Sequence, residues 1–453
     1  MMKSGIKRLT HKEQLFVSTM LFGMFFGAGN LIFPVYMGEL AGRNVWSAVI
    51  GFLITGVGIP LLGVAALGIS RSNGLQEMSS RVGHGYGIFF TCALYLTIGP
   101  LFAIPRCAST SFTVGIEPLF GGENSKILLA VFSLVFFLLV LWFSLRPGKI
   151  LVWVGKLLTP MFLVVLGILV AVALMNPIDS ISQIEPAETY ASAPLFAGFL
   201  DGYNTMDALA SLAFGIVVVN VIREHGVTDP QAIAANTVKS GIWSCVFMGI
   251  VYLAVTVVGA QSRSIVDGCA NGGEALAIIA RHYLGTVGLC ILALAVTLAC
   301  LKTAVGLVTS CGEGFAVMFP HGPSYRVWAI IFCIVPFLIA NIGLNAIISW
   351  SLPVLMLLFP LAITLILLAL FGSFYNHNRA VYCWVTVFTF IAAFFDFLKS
   401  LPAFISQSAP VAALLSAVSE FLPFFDIGLG WVCPAVVGLV IGIIVMKAGK
   451  KRG

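Results

Sequence analysis

Residues 23–34 decide the fold of this chain, and they read Gly23-Met24-Phe25-Phe26-Gly27-Ala28-Gly29-Asn30-Leu31-Ile32-Phe33-Pro34. They end an apolar run near 14–34 that is long enough to cross a bilayer. Glycine weakens a helix, and asparagine is costly in hydrocarbon. We therefore predict that the backbone unwinds here, which is possible at membrane depth only where it is buried in protein or lines a cavity. A small-residue seam for close helix packing is the alternative.

A second interrupted run lies near residues 194–222. Four polar side chains, those of Tyr203, Asn204, Thr205 and Asp207, fall within five residues near its middle. A carboxylate inside a membrane is by default a functional group. The cluster predicts a second break, with Thr and Asp able to cap a half-helix that restarts. The alternative for Asp207 is a structural cap that does not touch ligand.

The composition of the whole chain places it in the lipid bilayer. Its 453 residues are 60% hydrophobic and only 9% charged, whereas soluble domains carry about 25% charged residues. A soluble enzyme and a disordered chain are therefore excluded. Nucleic acid is not an expected partner, because the net charge of +6 is spread over short loops and termini. Neither a Walker A motif nor a zinc pattern of Cys and His is present, so we expect no cofactor and no metal beyond a transported cation.

Twelve apolar runs approach or exceed the ~20 residues that a membrane helix needs. Because unpaired backbone is not tolerated in lipid, the runs predict helices. The fold class expected is an all-α integral membrane protein, with residues 1–453 forming a single transmembrane domain. The runs lie near 14–34, 45–69, 86–105, 126–145, 150–174, 194–222, 233–260, 285–311, 326–341, 346–371, 380–398 and 424–447.

The two breaks, in the first and sixth runs, are five spans apart. Paired interrupted helices in corresponding halves are typical of inverted-repeat transporters. We therefore predict repeats over about 14–174 and 194–371, followed by two extra helices over about 380–447. The halves show no direct sequence identity, so this prediction depends on the breaks alone.

Lysine and arginine predict the orientation in the membrane, because cytoplasmic loops are enriched in them. Of the 24 residues of these two types, Lys302 falls inside a span, six fall in outer segments and the other seventeen in inner ones. This bias predicts that both termini lie in the cytoplasm. The membrane we expect is the plasma (inner) membrane. The six outer residues are Arg43, Arg106, Lys126, Arg263, Arg281 and Lys399.

Three sequence motifs resemble those of the branched-chain amino acid:cation symporters. Residues 26–34 (FGAGNLIFP) resemble the first-helix signature of that family, and residues 202–210 resemble its sixth-helix motif. Residues 298–307 are similar to its eighth helix, and the similarity covers nearly the whole chain. The resemblance implies a leucine-transporter-type fold and uptake of leucine, isoleucine and valine, usually with sodium.

The resemblance also implies which residues bind cations. The carbonyl of Phe25 and the side chain of Asn30 would contact a first sodium. The carbonyls of Gly23 and Phe26, with Ala299 and Thr303 of the eighth helix, would contact a second. Ala28, Gly29 and Asn30 would face the substrate carboxylate.

Lys302 departs from the pattern, because the position normally holds a threonine ligand of the second sodium. An ammonium there would compete with sodium for the same oxygens. We therefore put forward the hypothesis that Lys302 replaces the second sodium, so that a proton is an alternative coupling ion. Snorkelling of Lys302 toward the inner face and a buried pair with Asp207 remain alternatives.

The predicted substrate pocket follows from the chemistry of a zwitterion. Backbone N–H groups at the first break suit its carboxylate, unwound carbonyls of the sixth span suit its ammonium, and Met206 and Phe214 suit an aliphatic side chain. The expected substrate-binding residues are Gly27, Ala28, Gly29, Asn30, Tyr203, Asn204, Thr205, Met206 and Asp207. The alternatives are a transporter of another small neutral amino acid and a non-transporting amino-acid sensor. A channel and a membrane enzyme fit the sequence less well, and the oligomeric state is not predicted.

Overall fold

The computed structural model describes residues 9–27, 29–70, 72, 74–122, 124–146 and 149–450, with the side chains of 149–159 and 450 left out. Within these residues the regular structure is helical, and no strand occurs among them. Ala28, which the sequence places at the substrate, lies outside the described residues.

The first half of the described chain matches the first five predicted spans. The third span is longer than predicted, because a π-helical turn at Phe112–Ile116 continues its helix to Phe120. The helices are α1 His11–Phe25, α2 Gly29–Ala41, α3 Val45–Leu53, α4 Ile59–Ser70, α5 Leu75–Ser79, α6 His84–Leu96, α7 Ala103–Ser111, α8 Glu117–Phe120, α9 Ser125–Ser144 and α10 Lys149–Met175.

The second half contains the other predicted spans. The last of them begins at Val432 rather than near 424, because Pro423 and Gly428, with φ +71°, lie in turns. The helices are α11 Glu188–Ala191, α12 Pro194–Asp201, α13 Asp207–Glu224, α14 Pro230–Ala260, α15 Arg263–Val266, α16 Gly272–Met318, α17 Tyr325–Ala340, α18 Leu344–Leu370, α19 Arg379–Ser400, α20 Ala403–Ser406, α21 Ala409–Phe421 and α22 Val432–Lys450.

The lengths of these helices fit a protein that crosses a membrane many times. In the described part of the chain, eight helices are long and apolar enough to span, or nine if the bent pair α12 and α13 counts as one. Each of the twelve predicted runs falls on helix for most of its length. The all-helical membrane class is confirmed, and the count of twelve stays a prediction.

The packing of the helices exchanges partners between the two halves. Helices α1 and α2 of the first half pack on α14 of the second, and α3 and α4 of the first half pack on α12 and α13 of the second. Spans one and two thus pair with spans seven and six. This exchange is what two related halves would produce, although the repeat itself stays a prediction.

Close backbone approach at glycine marks both of these crossings. A Cβ atom added to Gly51 of α3 would lie 1.9 Å from the carbonyl oxygen of Leu195 in α12. A Cβ atom added to Gly259 of α14 would lie 2.1 Å from the carbonyl oxygen of Val35 in α2. The two helix pairs are therefore in contact through their backbones, and together they bring the first and second breaks side by side.

Candidate functional site

The first break separates α1, which ends at Phe25, from α2, which begins at Gly29. Phe26 leaves the helix with an extended backbone, at φ −70° and ψ 104°. The N–H of Gly27 is bonded instead to the side chain of Asn30, whose Oδ1 accepts it at 2.8 Å. The predicted unwinding is confirmed, and Asn30 replaces a backbone acceptor that the interrupted helix lost.

The glycines of this break admit side chains from other helices. A Cβ atom added to Gly27 would lie 3.2 Å from Cγ2 of Thr303 in α16. A Cβ atom added to Gly29 would lie 2.8 Å from Nη2 of Arg106 in α7. The neighbours are side-chain atoms, so a seam for packing against helix backbone does not explain these two glycines.

The second break lies between α12 and α13, which are bent by 45° relative to each other. The chain passes through a 3-10 turn at Gly202–Thr205 and then through Met206, which is left-handed with φ +62°. The hydroxyl of Thr205 accepts a hydrogen bond from the N–H of Asp207 at 3.3 Å. The N-cap position itself is Met206, which makes no side-chain cap bond, so Thr205 binds only the first N–H of the restarted helix from the residue before the cap.

Asp207 joins the two breaks instead of only capping its own helix. Its Oδ2 accepts hydrogen bonds from Nδ2 of Asn30 at 2.6 Å and from the hydroxyl of Tyr252 at 2.6 Å. Asn30 also donates to that hydroxyl. All three side chains are at most 2% exposed. The alternative of Asp207 as a cap alone does not account for these contacts, and sequence reasoning missed Tyr252 in α14.

Both breaks open into one small cavity. The space open to the centres of water molecules is about 40 Å³, room for about three waters at roughly 10–15 Å³ each. A whole amino acid therefore needs a wider cavity than this conformation offers. The described lining residues are Met24, Phe25, Gly27, Gly29, Asn30, Ile98, Ala103, Arg106, Cys107, Thr205, Met206, Asp207, Ala210, Phe214, Thr303 and Leu307.

Some residues that the sequence assigned to the site lie outside this described lining. Tyr203 is buried with its ring stacked on Phe359, 4.1 Å between centroids. Asn204 is buried nearby with no hydrogen-bond partner for its Oδ1 among the described residues. The remaining cation candidates also lie outside the described lining, and they are Gly23, Phe26, Ala299 and Lys302.

The eighth span approaches the first break through Thr303. Its hydroxyl donates to the carbonyl of Ala299 at 3.1 Å, while its methyl group lies against Gly27. Lys302 is half-buried one residue earlier. Phe25 and Thr303 both line the cavity. Each carries an oxygen atom, which is the type of ligand that a hard cation prefers.

Arg106 is the residue that sequence reasoning misplaced. The sequence predicts it in an outer segment after a span ending near 105, but the structure places it in α7, 3% exposed and lining the cavity. The prediction is wrong because the helix continues to Phe120 through a π-helical turn. A signal was present, since Arg106 is the only Asp, Glu, Lys or Arg between residues 83 and 116.

Known proteins resemble this chain over nearly its full length. The family model described as branched-chain amino acid transport protein matches residues 10–449. The branched-chain amino acid permease BrnQ of Lactobacillus delbrueckii subsp. lactis is 52% identical, covering 98% of this chain and 99% of the relative. The branched-chain amino acid permease BrnQ of Escherichia coli strain K12 is 38% identical, covering 98% of both chains.

Solved structures agree on the fold. Mhp1, a nucleobase-cation-symport-1 family transporter in a closed conformation, superposes with a TM-score of 0.60 at 14% identity, covering 100% of this chain and 96% of Mhp1. The inward-facing conformation of Mhp1 gives 0.61 at 13% identity, covering 100% of this chain and 95% of Mhp1. At this identity the likeness shows the fold alone, and it confirms the predicted leucine-transporter-type class. On the sequence match, the chain belongs to the family of branched-chain amino acid transport proteins and is a transporter rather than an enzyme.

Proposed function

We propose that this protein imports leucine, isoleucine and valine across the plasma membrane in symport with a cation, with sodium as the coupling ion. The observation that carries the proposal is the meeting of both helix breaks at one buried cavity. A relative that shares 52% of its residues is named a branched-chain amino acid permease. Both termini are in the cytoplasm in this proposal.

The apolar side of the cavity suits an aliphatic side chain. Ile98, Met206, Phe214 and Leu307 contribute hydrocarbon to the lining. A hydrophobic pocket separates homologues by only ~1–3 kcal/mol per methylene group. We therefore expect leucine, isoleucine and valine to share the site, and smaller neutral amino acids such as alanine to bind less tightly.

The polar side suits the ends of an amino acid. The N–H groups of Gly29 and Asn30 lie at the start of α2, where an anion is favoured. In this proposal they face the carboxylate together with Ala28. Asp207 accepts the ammonium, with help from carbonyl groups of the turn at residues 203–206. A substrate ammonium at Asp207 would add to, or replace, the bonds from Asn30 and Tyr252.

The coupling cation binds at the first break in this proposal. The Phe25 carbonyl and the Asn30 side chain provide one group of oxygen ligands. The carbonyls of Gly23, Phe26 and Ala299, with the hydroxyl of Thr303, provide a second group of oxygen ligands. The closeness of Thr303 to Gly27 supports a position of this second group at the first break. Lys302 next to that group occupies the place of a second sodium, which makes a proton the alternative ion.

Coupling requires that cation and substrate favour the same conformation. A ligand shifts an equilibrium only by its differential affinity for the two states. A cation between α1, α2 and α16 would hold the mobile helices against their neighbours, and the substrate would stabilise a conformation with a wider cavity. This explains why a cavity of about 40 Å³ and transport of leucine are compatible.

Uptake into liposomes tests the proposal. Purified protein is reconstituted, and uptake of labelled leucine is measured with an inward sodium gradient, with potassium in its place, and with a pH gradient alone. We expect saturable uptake that follows the sodium gradient and is competed by isoleucine and valine but poorly by alanine. Saturable leucine binding with no flux under any gradient would identify a sensor instead.

The role of Lys302 is tested in the same assay. Lys302→Thr restores the family ligand, so we expect it to transport a second sodium per leucine. A conservative Lys302→Arg variant, which keeps the charge, should retain the wild-type stoichiometry. Unchanged stoichiometry in Lys302→Thr, with strict sodium dependence in the wild type, rejects the replacement of the second sodium.

A further inference from the structure

Arg106 is a buried charge that forms no ion pair within 4.0 Å among the described residues. Its side chain is 3% exposed, and a charged side chain inside a membrane is costly and usually functional. Its Nη1 has no hydrogen-bond partner among the same residues. A guanidinium with a free donor in this position can bind an anion directly.

The surroundings hold the guanidinium at the cavity. Its Cζ lies 5.0 Å from the centre of the Phe33 ring, a cation–π contact. Gly29 leaves it room, because a Cβ atom there would lie 2.8 Å from Nη2. The planar fork therefore lies beside the N-terminus of α2, where the helix dipole also favours an anion.

The cavity has a second pole of opposite charge. Asp207 also lines it, yet no Arg106–Asp207 ion pair within 4.0 Å occurs in the described structure. A cavity with separated positive and negative poles and an apolar wall complements a zwitterion with an aliphatic side chain. An anion without an ammonium would leave Asp207 unmatched, and a cation without a carboxylate would leave Arg106 unmatched.

We propose that Arg106 binds the α-carboxylate of the transported amino acid, and that it makes a free carboxylate a requirement for tight binding. The inference rests on the proposed function and adds a residue on the third span to the two breaks. The guanidinium donates to the two carboxylate oxygens in the bidentate geometry that suits this pair. The missing Cβ atom of Gly29 leaves space for Nη2 of Arg106 beside the break.

The test compares leucine with leucinol, which has the same side chain and amino group but no carboxylate. Full-length protein is purified, and the affinity for each compound is measured by ligand-induced thermal stabilisation and by competition with labelled leucine. The wild type should bind leucine about 30-fold or more tighter than leucinol. Wild-type binding of the two within about threefold of each other overturns the proposal without any variant.

The variants separate carboxylate binding from a structural role. Arg106→Gln should lower leucine affinity by about 30-fold while leucinol affinity changes by less than about threefold. Arg106→Lys keeps the charge without the fork and should lie between wild type and Arg106→Gln. The matched control is Arg43→Gln, which removes an exposed arginine paired with Glu185 at 2.6 Å, away from the cavity, and should leave both affinities unchanged.

Other outcomes overturn the inference or the proposed function separately. A parallel loss of leucine and leucinol affinity in Arg106→Lys identifies a structural role for Arg106. If wild-type leucine binding requires chloride, and Arg106→Lys keeps the selectivity for leucine over leucinol, then Arg106 binds chloride rather than the carboxylate. If the wild type shows no saturable leucine uptake, the proposed function fails, whereas leucine uptake with unaltered selectivity in the variants contradicts only the role of Arg106.

Discussion

The break between α1 and α2 and the break between α12 and α13 face the same cavity, but they contribute to it differently. At the first break, Gly27 and Gly29 have no side chains, so Thr303 and Arg106 from other helices approach the backbone. At the second, Thr205, Met206 and Asp207 line the cavity with their own side chains. The first break therefore makes room for distant groups, while the second supplies groups directly.

The largest effect should come from removing the charge that the second break supplies. Asp207→Asn keeps the shape but loses the carboxylate that accepts from Asn30 and Tyr252. We expect kcat/KM for leucine uptake to fall about 100-fold, because hydrogen bonds to a charged group are the strong ones. Asp201→Asn is the control, since Asp201 bonds to Tyr190 and is not part of the described lining; uptake by Asp207→Asn equal to that control would contradict the prediction.

Filling the space at the first break should have the next largest effect. In Gly29→Ala the new Cβ atom lies 2.8 Å from Nη2 of Arg106 and forces the guanidinium away. The displaced atom is the far end of a flexible side chain, so stability should change little. The weakened charged hydrogen bonds to the substrate carboxylate, worth about 1.5–3 kcal/mol, should raise the KM for leucine about 20-fold. Gly167→Ala in α10 has no atom within 4 Å of the new Cβ and should transport normally. A normal KM in Gly29→Ala would show that the first break does not depend on this open space.

The two helix crossings beside the breaks, α3 on α12 and α2 on α14, should lose similar amounts of stability when their glycines are substituted. Gly51→Ala and Gly259→Ala each place a Cβ atom about 2 Å from a carbonyl oxygen of the partner helix. Each should lose about 2–3 kcal/mol of stability, measured as thermal unfolding in detergent, with Gly167→Ala again as the control. Losses that differ severalfold between the two variants would break the equivalence of the crossings and with it the predicted repeat.

The second break contains a left-handed residue, Met206, whose conformation can be tested by substitution. Its φ of +62° is left-handed, a region that costs most residues roughly 1–2 kcal/mol and that asparagine tolerates. Met206→Val, which is β-branched, should therefore be less stable than Met206→Asn by about that amount. Thermal unfolding of the two variants measures the difference; if valine proves as stable as asparagine, the left-handed turn is not required.

A contact far from both breaks provides the smallest effect. His377 lies in the turn before α19, where Nη1 of Arg81 is 2.6 Å from its Nδ1. Partial burial and the Arg81 guanidinium lower the pKa of His377 from its usual value of 6.5. The neutral ring is thus favoured on folding, so its contribution to stability is complete above pH 6.5 and is lost as the pH falls through the lowered pKa. We expect a modest drop in thermal stability on acidification that His377→Gln removes, with leucine affinity unaffected; a profile unchanged by that substitution would contradict this.

The sequence by itself determined the helical membrane class and the positions of both breaks. Length and uniform apolarity leave helices as the stable form in lipid, and glycine or clustered polar groups inside such a run are tolerated only at an interruption. These are local properties of the chain, so Gly27, Gly29 and Asp207 could be selected without a structure. Family resemblance added the substrate class, which local physics alone does not give.

Only the tertiary structure decided which distant residues meet at the breaks. Tyr252 lies 222 residues from Asn30, and no periodicity within either helix relates them. Arg106 reads as a loop residue until the helix around it is seen to continue to Phe120. A charge is costly or harmless according to whether its surroundings are hydrocarbon, protein or water, and those surroundings are created by packing between helices that are far apart in the chain.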